Sequence, residues 1–201
     1  MGVLSEVEIC NSALVELGID NAITSLTQNR KAARLFNKKY YKILKKVMAA
    51  HYWNFAMKRA TLAQVSGTTD PLSEYDYVYQ LPSDCLRVRK TQVDEDSFQV
   101  ESGLLYSNES SCKIQYIFYQ QDHSKYSDQF VELLAVKLAS ECAYALTGSV
   151  RLGIQLHNRY EQELRDARSS DAQEGTMPDM DNNEWLNSRI NNVRNYRDVE
   201  V

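Results

Sequence analysis

Apolar residues recur with a helical period in four stretches of the chain, and with a strand period between the second and the third. The most apolar helical stretch is Ser127–Gly148, SDQFVELLAVKLASECAYALTG. Phe130, Leu133, Leu134, Leu138, Cys142, Ala145 and Leu146 fall at helical steps. Val131, Ala135, Val136, Ala139 and Ala143 widen that stripe to nearly the full circumference. A helix that is apolar all round is buried, so this stretch predicts the central helix of the core. Ser127 is placed to cap it, Asp128 and Glu132 set negative charge near its positive end, and Gly148 can end it in the left-handed conformation. Lys137, Ser140 and Glu141 break it too often for a membrane span.

The other three helical stretches are amphipathic. Leu4–Gly18 carries Leu4, Val7, Cys10, Leu14 and Leu17 on one stripe, and Ser5 with Glu8 has capping-box spacing. Gln28–His51 carries Ala33, Phe36, Tyr40, Ile43, Leu44, Val47 and Ala50. Tyr52, Trp53 and Phe55 close it and predict an aromatic plug at the bottom of the core. Ser149–Ser169 carries Val150, Ile154, His157, Tyr160, Leu164 and Ala167. Only Gly148-Ser149 separates it from the central helix, so the two predict an αα-hairpin or a sharp bend.

Between these lies the strand pattern. Ser66–Pro71 reads as a loop, and Tyr75, Tyr77, Tyr79 and Leu81 alternate with polar neighbours. Pro82-Ser83-Asp84 is a turn by composition. Cys85–Val93, Ser97–Val100, Leu104–Ser107 and Lys113–Tyr119 follow as short strands, with turns at Gly103 and Asn108-Glu109-Ser110. Local hairpin connections predict one small antiparallel sheet. The fold class is therefore α+β, mainly a bundle of about four helices with a small inserted antiparallel sheet and an extended C-terminal tail. Residues 1–60 and 122–169 form one helical domain, 72–121 the inserted β domain and 170–201 a C-terminal arm.

The arm changes the picture. From Ser170 the composition turns to Asp, Asn, Ser, Gly and Pro, which predicts a segment without a core of its own. Trp185, Leu186, Ile190, Val193 and Tyr196 recur in it at helix-like spacing and are the candidate anchors for a partner protein.

Net charge is −4, and its distribution matters more than its size. No Asp or Glu occurs between Asn21 and Thr69, while Arg30, Arg34, Lys38, Lys42 and Lys46 recur every four residues along the second helix. The acids cluster from Asp70 to Glu132 and from Glu161 to Glu200. Such a stripe is a solvated face, a contact for acid on a neighbouring subunit, or a phosphate-facing surface. It lacks Asn or Gln placed among the cations, so reading of a DNA sequence is not expected. Thirteen tyrosines against five phenylalanines fit partly polar contact surfaces.

Motifs of catalysis do not emerge. His51, His123 and His157 lack metal-ligand spacing, and neither a GxSxG, a P-loop nor a GxGxxG occurs. Cys10, Cys85, Cys112 and Cys142 stand singly, as small core residues of a protein in a reducing cytoplasm. No catalytic residue, cofactor or metal site is expected, and no membrane association.

Five collinear pieces carry a resemblance: NSALVELGI at Asn11–Ile19, HYWNF at His51–Phe55, YVYQLPSDCLRV at Tyr77–Val88, FVELLAVKLASECAYALTGS at Phe130–Ser149 and RYEQELRDAR at Arg159–Arg168. Together they resemble the tail tubular protein A family, the head-to-tail adaptors of short-tailed bacteriophages. The resemblance implies a virion tail protein that is assembled in the host cytoplasm. It implies a homo-oligomeric ring, of twelve copies in the family, beneath the portal protein. That ring continues the DNA channel, which DNA traverses without specific binding, and anchors a tail nozzle protein (tail tubular protein B-like) and fibres. The C-terminal arm would dock on the portal. The alternative from the residues themselves is a nucleic-acid-binding accessory protein that uses the basic helix 28–51.

Overall fold

One helix organises the fold. The computed structural model describes residues 5–65, 74–92 and 98–173. In it α1 (Glu6–Glu16), α2 (Lys31–Ala50) and α4 (Val150–Gln173) all pack against α3 (Asp128–Thr147). Phe130, Leu133, Leu134, Leu138, Ala139, Cys142 and Ala143 of α3 are buried, as a helix surrounded on several sides requires. Ser127 caps it by accepting from the Phe130 amide at 3.3 Å. Gly148 ends it at φ 73°, where a Cβ would be strained.

Local signals also set the ends of α1 and α4. Ser5 and Glu8 form the reciprocal capping box of α1. Ser149 Oγ accepts from the Leu152 amide at 3.1 Å, which starts α4 one residue after the end of the hairpin link. Asn11 clamps the link after α1: its amide donates to the Ile23 carbonyl at 3.0 Å, and its Oδ1 accepts from the Ile23 amide at 2.8 Å.

The rings after α2 plug the core. Trp53 is buried, donates through Nε1 to the Val47 carbonyl at 3.0 Å, and meets Phe130 edge to face at 5.1 Å. Phe55 packs on Phe130 at 4.9 Å and on Tyr126 at 5.4 Å.

The β region is two antiparallel sheets rather than one. The strands are β1 (Met57–Thr61), β2 (Ala63–Gln64), β3 (Tyr77–Gln80), β4 (Cys85–Thr91), β5 (Phe98–Glu101), β6 (Leu104–Ser107) and β7 (Lys113–Phe118). Their orders are β1-β7-β4 and β2-β3-β6-β5. Only β5 and β6 form a tight hairpin; Ser102 (φ 49°) and Gly103 (φ 79°) both take the positive φ that its two-residue turn needs. Apart from β2 with β3, the other pairings skip strands: β3 bonds β6, β4 bonds β7 and β1 bonds β7, so the hairpin chain read from the sequence does not form. The reason is burial on two sides. Tyr79, Leu105, Ile114 and Tyr116, from both sheets, share a second core with Leu62, Leu81 and Cys112, while Ile117 joins the helical core. Alternate residues of β7 thus serve different cores. The strands also begin upstream of the alternation, at Met57, where MKRAT shows little contrast between its faces.

Two apolar stripes extend less far than their spacing predicts. In α4 the buried residues are Leu156, Tyr160, Leu164 and Ala167, whereas Val150 and Ile154 are exposed. The buried seam runs through Leu156, Tyr160 and Leu164; Ile154 and Val150, six and ten residues before Tyr160, lie roughly 120° and 80° around the helix from it and so fall off the seam. The seam's first turn is held at Gly153, where an added Cβ would lie 3.4 Å from that of Ala143. At the end of α3 the predicted stripe residues Ala145 and Leu146 are only half-buried, and Tyr144, outside that stripe, is 69% exposed.

Candidate functional site

The α2 stripe faces solvent throughout. Arg30, Arg34, Lys38, Lys42 and Lys46 are all exposed, opposite a seam of buried Ala33, Phe36, Tyr40, Ile43, Leu44, Val47 and Met48. Four-residue spacing makes the cations spiral across the whole outer face, over about 18 Å from Arg34 to Lys46. Arg30 turns back, donating to the Ala22 carbonyl at 2.9 Å, and Arg34 donates to Asn29 Oδ1 at 2.8 Å. Lys38, Lys42 and Lys46 have no carboxylate partner among the described residues. Lys39, on the flank, donates to the Glu141 carbonyl and lies 3.7 Å from its carboxylate, so it belongs to the α2–α3 contact.

This face is built against local preference. Arg30 is the N-cap and supplies no side-chain cap, and the first turn of α2 has no acid. Cations at a positive helix end are unfavourable by about 0.3–1 kcal/mol each. Seam burial outweighs this, and among the described residues no counter-charge removes the cost.

A concentration of acid lies elsewhere, where α1, α3 and α4 meet. Arg159 pairs with Glu16 at 2.5 Å and Glu163 at 2.6 Å, and reaches Glu132 at 3.9 Å. Gln129, Glu132, Glu163, Asp166 and Ala167 line a cavity of about 170 Å³ beside it. One guanidinium thus faces Glu16, Glu132 and Glu163, with Asp166 adjacent. Glu163 Oε2 is buried with no hydrogen-bond partner among the described residues. Sequence reading places Arg159, Glu163 and Asp166 on the polar face of α4 and misses the cluster. Glu16 and Glu132 join it only through helix packing, and the segregation of acid in the chain was its one available signal.

Each histidine meets a neighbouring side chain. His123 Nε2 lies 3.1 Å from the Tyr40 hydroxyl, His157 Nδ1 lies 3.5 Å from Lys137 Nζ, and His51 meets Trp53 edge to face. Burial pushes the Cys142 and Cys85 thiols up to about 11 and raises Cys10 and Cys112 as well. Each is therefore a protonated thiol at neutral pH, a poor nucleophile. Among the described residues no group of three His, Cys, Asp or Glu side chains is arranged to hold a metal, and no helix is long and apolar enough to cross a membrane.

Trp185, Leu186, Ile190, Val193 and Tyr196 lie outside the described residues, as does Leu4. Val150 and Ile154, which the sequence placed on the apolar face of α4, are exposed at the α3–α4 hairpin end, as is Tyr144 of α3. No protein-family model and no curated protein matches the chain.

Proposed function

We propose that the chain is a structural assembly protein, a head-to-tail adaptor of a phage virion tail. In this reading identical copies close into a ring beneath the portal, of twelve subunits as in the family it resembles. The observation that carries the assembly reading is one of charge. Lys38, Lys42 and Lys46 have no carboxylate partner among the described residues on the outer face of α2, while the Arg159 cluster leaves acid in excess at the α1–α3–α4 junction. Two complementary surfaces on one chain form a heterologous contact, which closes into a ring when the rotation permits. The segment beyond α4, 174–201, with Trp185, Leu186, Ile190, Val193 and Tyr196, would hold the portal; the helix runs four residues into the stretch the sequence assigned to the arm. The lower rim would receive the nozzle protein and fibres. In a channel that passes DNA without gripping it, the lysine stripe lies between subunits, off the lumen.

Native mass measurement and electron microscopy of the purified protein test this. A Lys38→Glu, Lys42→Glu variant should stay folded and fail to form the ring. A Glu132→Lys, Asp166→Lys variant should fail alone as well. Mixed, the two restore an alternating ring, because each repaired contact again joins opposite charge. Removal of residues 177–201 should leave a folded protein that no longer joins the portal. A ring indifferent to both charge reversals, or a monomer at all concentrations, overturns the reading.

The same unpaired lysines favour one other reading, a nucleic-acid-binding accessory protein that sets α2 on phosphates. It predicts DNA binding that weakens steeply with salt. Absence of a gel shift at low salt removes it.

A further inference from the structure

The three-stranded sheet holds a cleft unrelated to the α2 stripe. Arg59, Ala60, Thr61, Lys90, Thr91, Gln92, Lys113, Ile114 and Gln115 enclose about 350 Å³ there. Strand register explains the gathering. Gln115 of β7 pairs with Arg59 of β1 on one side and with Lys90 of β4 on the other. Directly opposed residues share a face, so both cations flank Gln115 from strands about 5 Å to either side. Thr61 pairs with Lys113, two residues along the same face, which places a third cation above the amide.

A bulge selects Lys90. The register of β4 shifts between Val88 and Lys90, so Lys90 takes the place opposite Gln115 that an unbroken ladder would give Arg89. Arg89 instead turns to the Tyr52 ring, 5.6 Å from its centroid. Bulges recur where a strand must re-aim a side chain.

Gln115 is the second observation. It is 9% exposed and forms the floor of the cleft, yet its side-chain amide has no hydrogen bond among the described residues. The amide nitrogen and oxygen of Gln115 are not among the buried unbonded side-chain atoms, so they open onto the cleft and are free to bond a ligand there. Arg59, Lys90 and Lys113 likewise have no carboxylate partner among the described residues, and no Asp or Glu is among the described residues that line the cleft.

We propose that this cleft binds a phosphate group. The Gln115 amide and the Arg59 guanidinium donate hydrogen bonds to its oxygens, and Lys90 and Lys113 supply charge. Three cations, with no acid among the described lining residues, match a dianion better than a single carboxylate. The site is independent of the assembly reading.

Titration of the full-length protein with inorganic phosphate, followed by amide NMR, tests it. The Gln115 side-chain amide and the backbone amides of Lys113 and Gln115 should shift saturably at millimolar phosphate. Arg59→Gln, Lys90→Gln and Lys113→Gln should each weaken binding about tenfold, and Gln115→Leu by a similar factor with unchanged charge. Arg151→Gln, on α4, should leave binding as it is. A second arm uses a DNA oligonucleotide without terminal phosphates. Competition with inorganic phosphate at the same amides identifies a nucleic-acid backbone as the source; binding of free phosphate alone identifies a small phosphomonoester. No saturable shift of Gln115, or binding that survives all three cation removals, overturns the proposal.

Discussion

Helices α2 and α3 are both 20 residues long and lie side by side, yet they are held in opposite ways. The termini of α3 are written into its own sequence, as Ser127 before it and Gly148 after it. The termini of α2 are not. Its N-cap is an arginine with no capping bond, and its last carbonyls are met by cations distant in the chain. Arg87 Nη1 donates to the Ala49 carbonyl at 3.3 Å and Arg168 Nη2 to the Ala50 carbonyl at 2.7 Å. Both cations also suit the negative end of the helix dipole. Local preference and burial agree in α3, so its residues serve stability. They disagree on the outer face of α2, and such disagreement is expected where a surface serves a partner.

Substitutions should separate the two helices, and the largest effect belongs to α3. Leu138 is 0% exposed. Leu138→Ala should cost about 2–5 kcal/mol in urea unfolding, from lost burial plus the cavity left behind. A loss no larger than that of a surface change would break the comparison at its root. Next is Gly148→Ala, which places a Cβ in the left-handed region and should cost about 1–2 kcal/mol in the same assay.

For α2 the corresponding end is remote in sequence. Arg168→Gln should cost about 1 kcal/mol by removing charge from the helix C-terminus. Because the contact joins α4 to α2, hydrogen exchange should quicken in the last turn of α2 and stay unchanged at the N-terminus of α3.

The sheet region extends the comparison to pH. Asp84 accepts from Lys58 Nζ at 2.8 Å and from the Tyr116 hydroxyl at 3.2 Å. Partial burial pushes its carboxyl up, but the Lys58 and Tyr116 bonds outweigh this and hold it below the usual carboxylate range. A depressed folded pKa stabilises the fold above the unfolded value of about 4. That stability is lost as pH falls through the folded value. Asp84→Asn should therefore cost roughly 0.5–1 kcal/mol at neutral pH, a modest figure because the pair is partly solvated. The variant's urea midpoint should approach that of the parent on acidification below pH ~4.

The smallest stability change should come from the α2 face itself. Lys42→Glu should move unfolding by less than about 0.5 kcal/mol. Its effect should instead appear in native mass, as weakened self-association. If Lys42→Glu destabilises the fold as much as Gly148→Ala, the stripe is structural and the contrast between the helices fails.

Much of the helical half was legible in the residues. Ser5 with Glu8, Ser127, Gly148 and Ser149 act at short range, and their hydrogen bonds form within a turn of each residue. The strands from Tyr77 to Phe118 were equally legible as segments, since alternation is local. Their partners were not: nothing near β4 says that it will bond β7, about 25 residues further on, rather than β3. Nor was the extent of a stripe. Val150 and Ile154 keep helical spacing with Tyr160 and Leu164, and only the line of approach of α3 decides which of them it covers.

The candidate sites divide along the same line. The cation stripe of α2 is a property of spacing on one helix, so Arg34, Lys38, Lys42 and Lys46 could be placed together from the chain alone. The Arg159 cluster and the Gln115 cleft each draw on three segments, and the cleft depends on a bulge that exchanges Lys90 for Arg89. The sequence by itself determined which stretches would be helical, the capped ends of α1 and α3 and the start of α4, and which helix would lie at the centre, because capping and amphipathic burial act over a few residues. The ends of α2 and the last turn of α4 were not written there. Tertiary structure alone decided strand partners, the reach of the apolar seams and the company of each charge, because those depend on segments that meet only after the chain has packed.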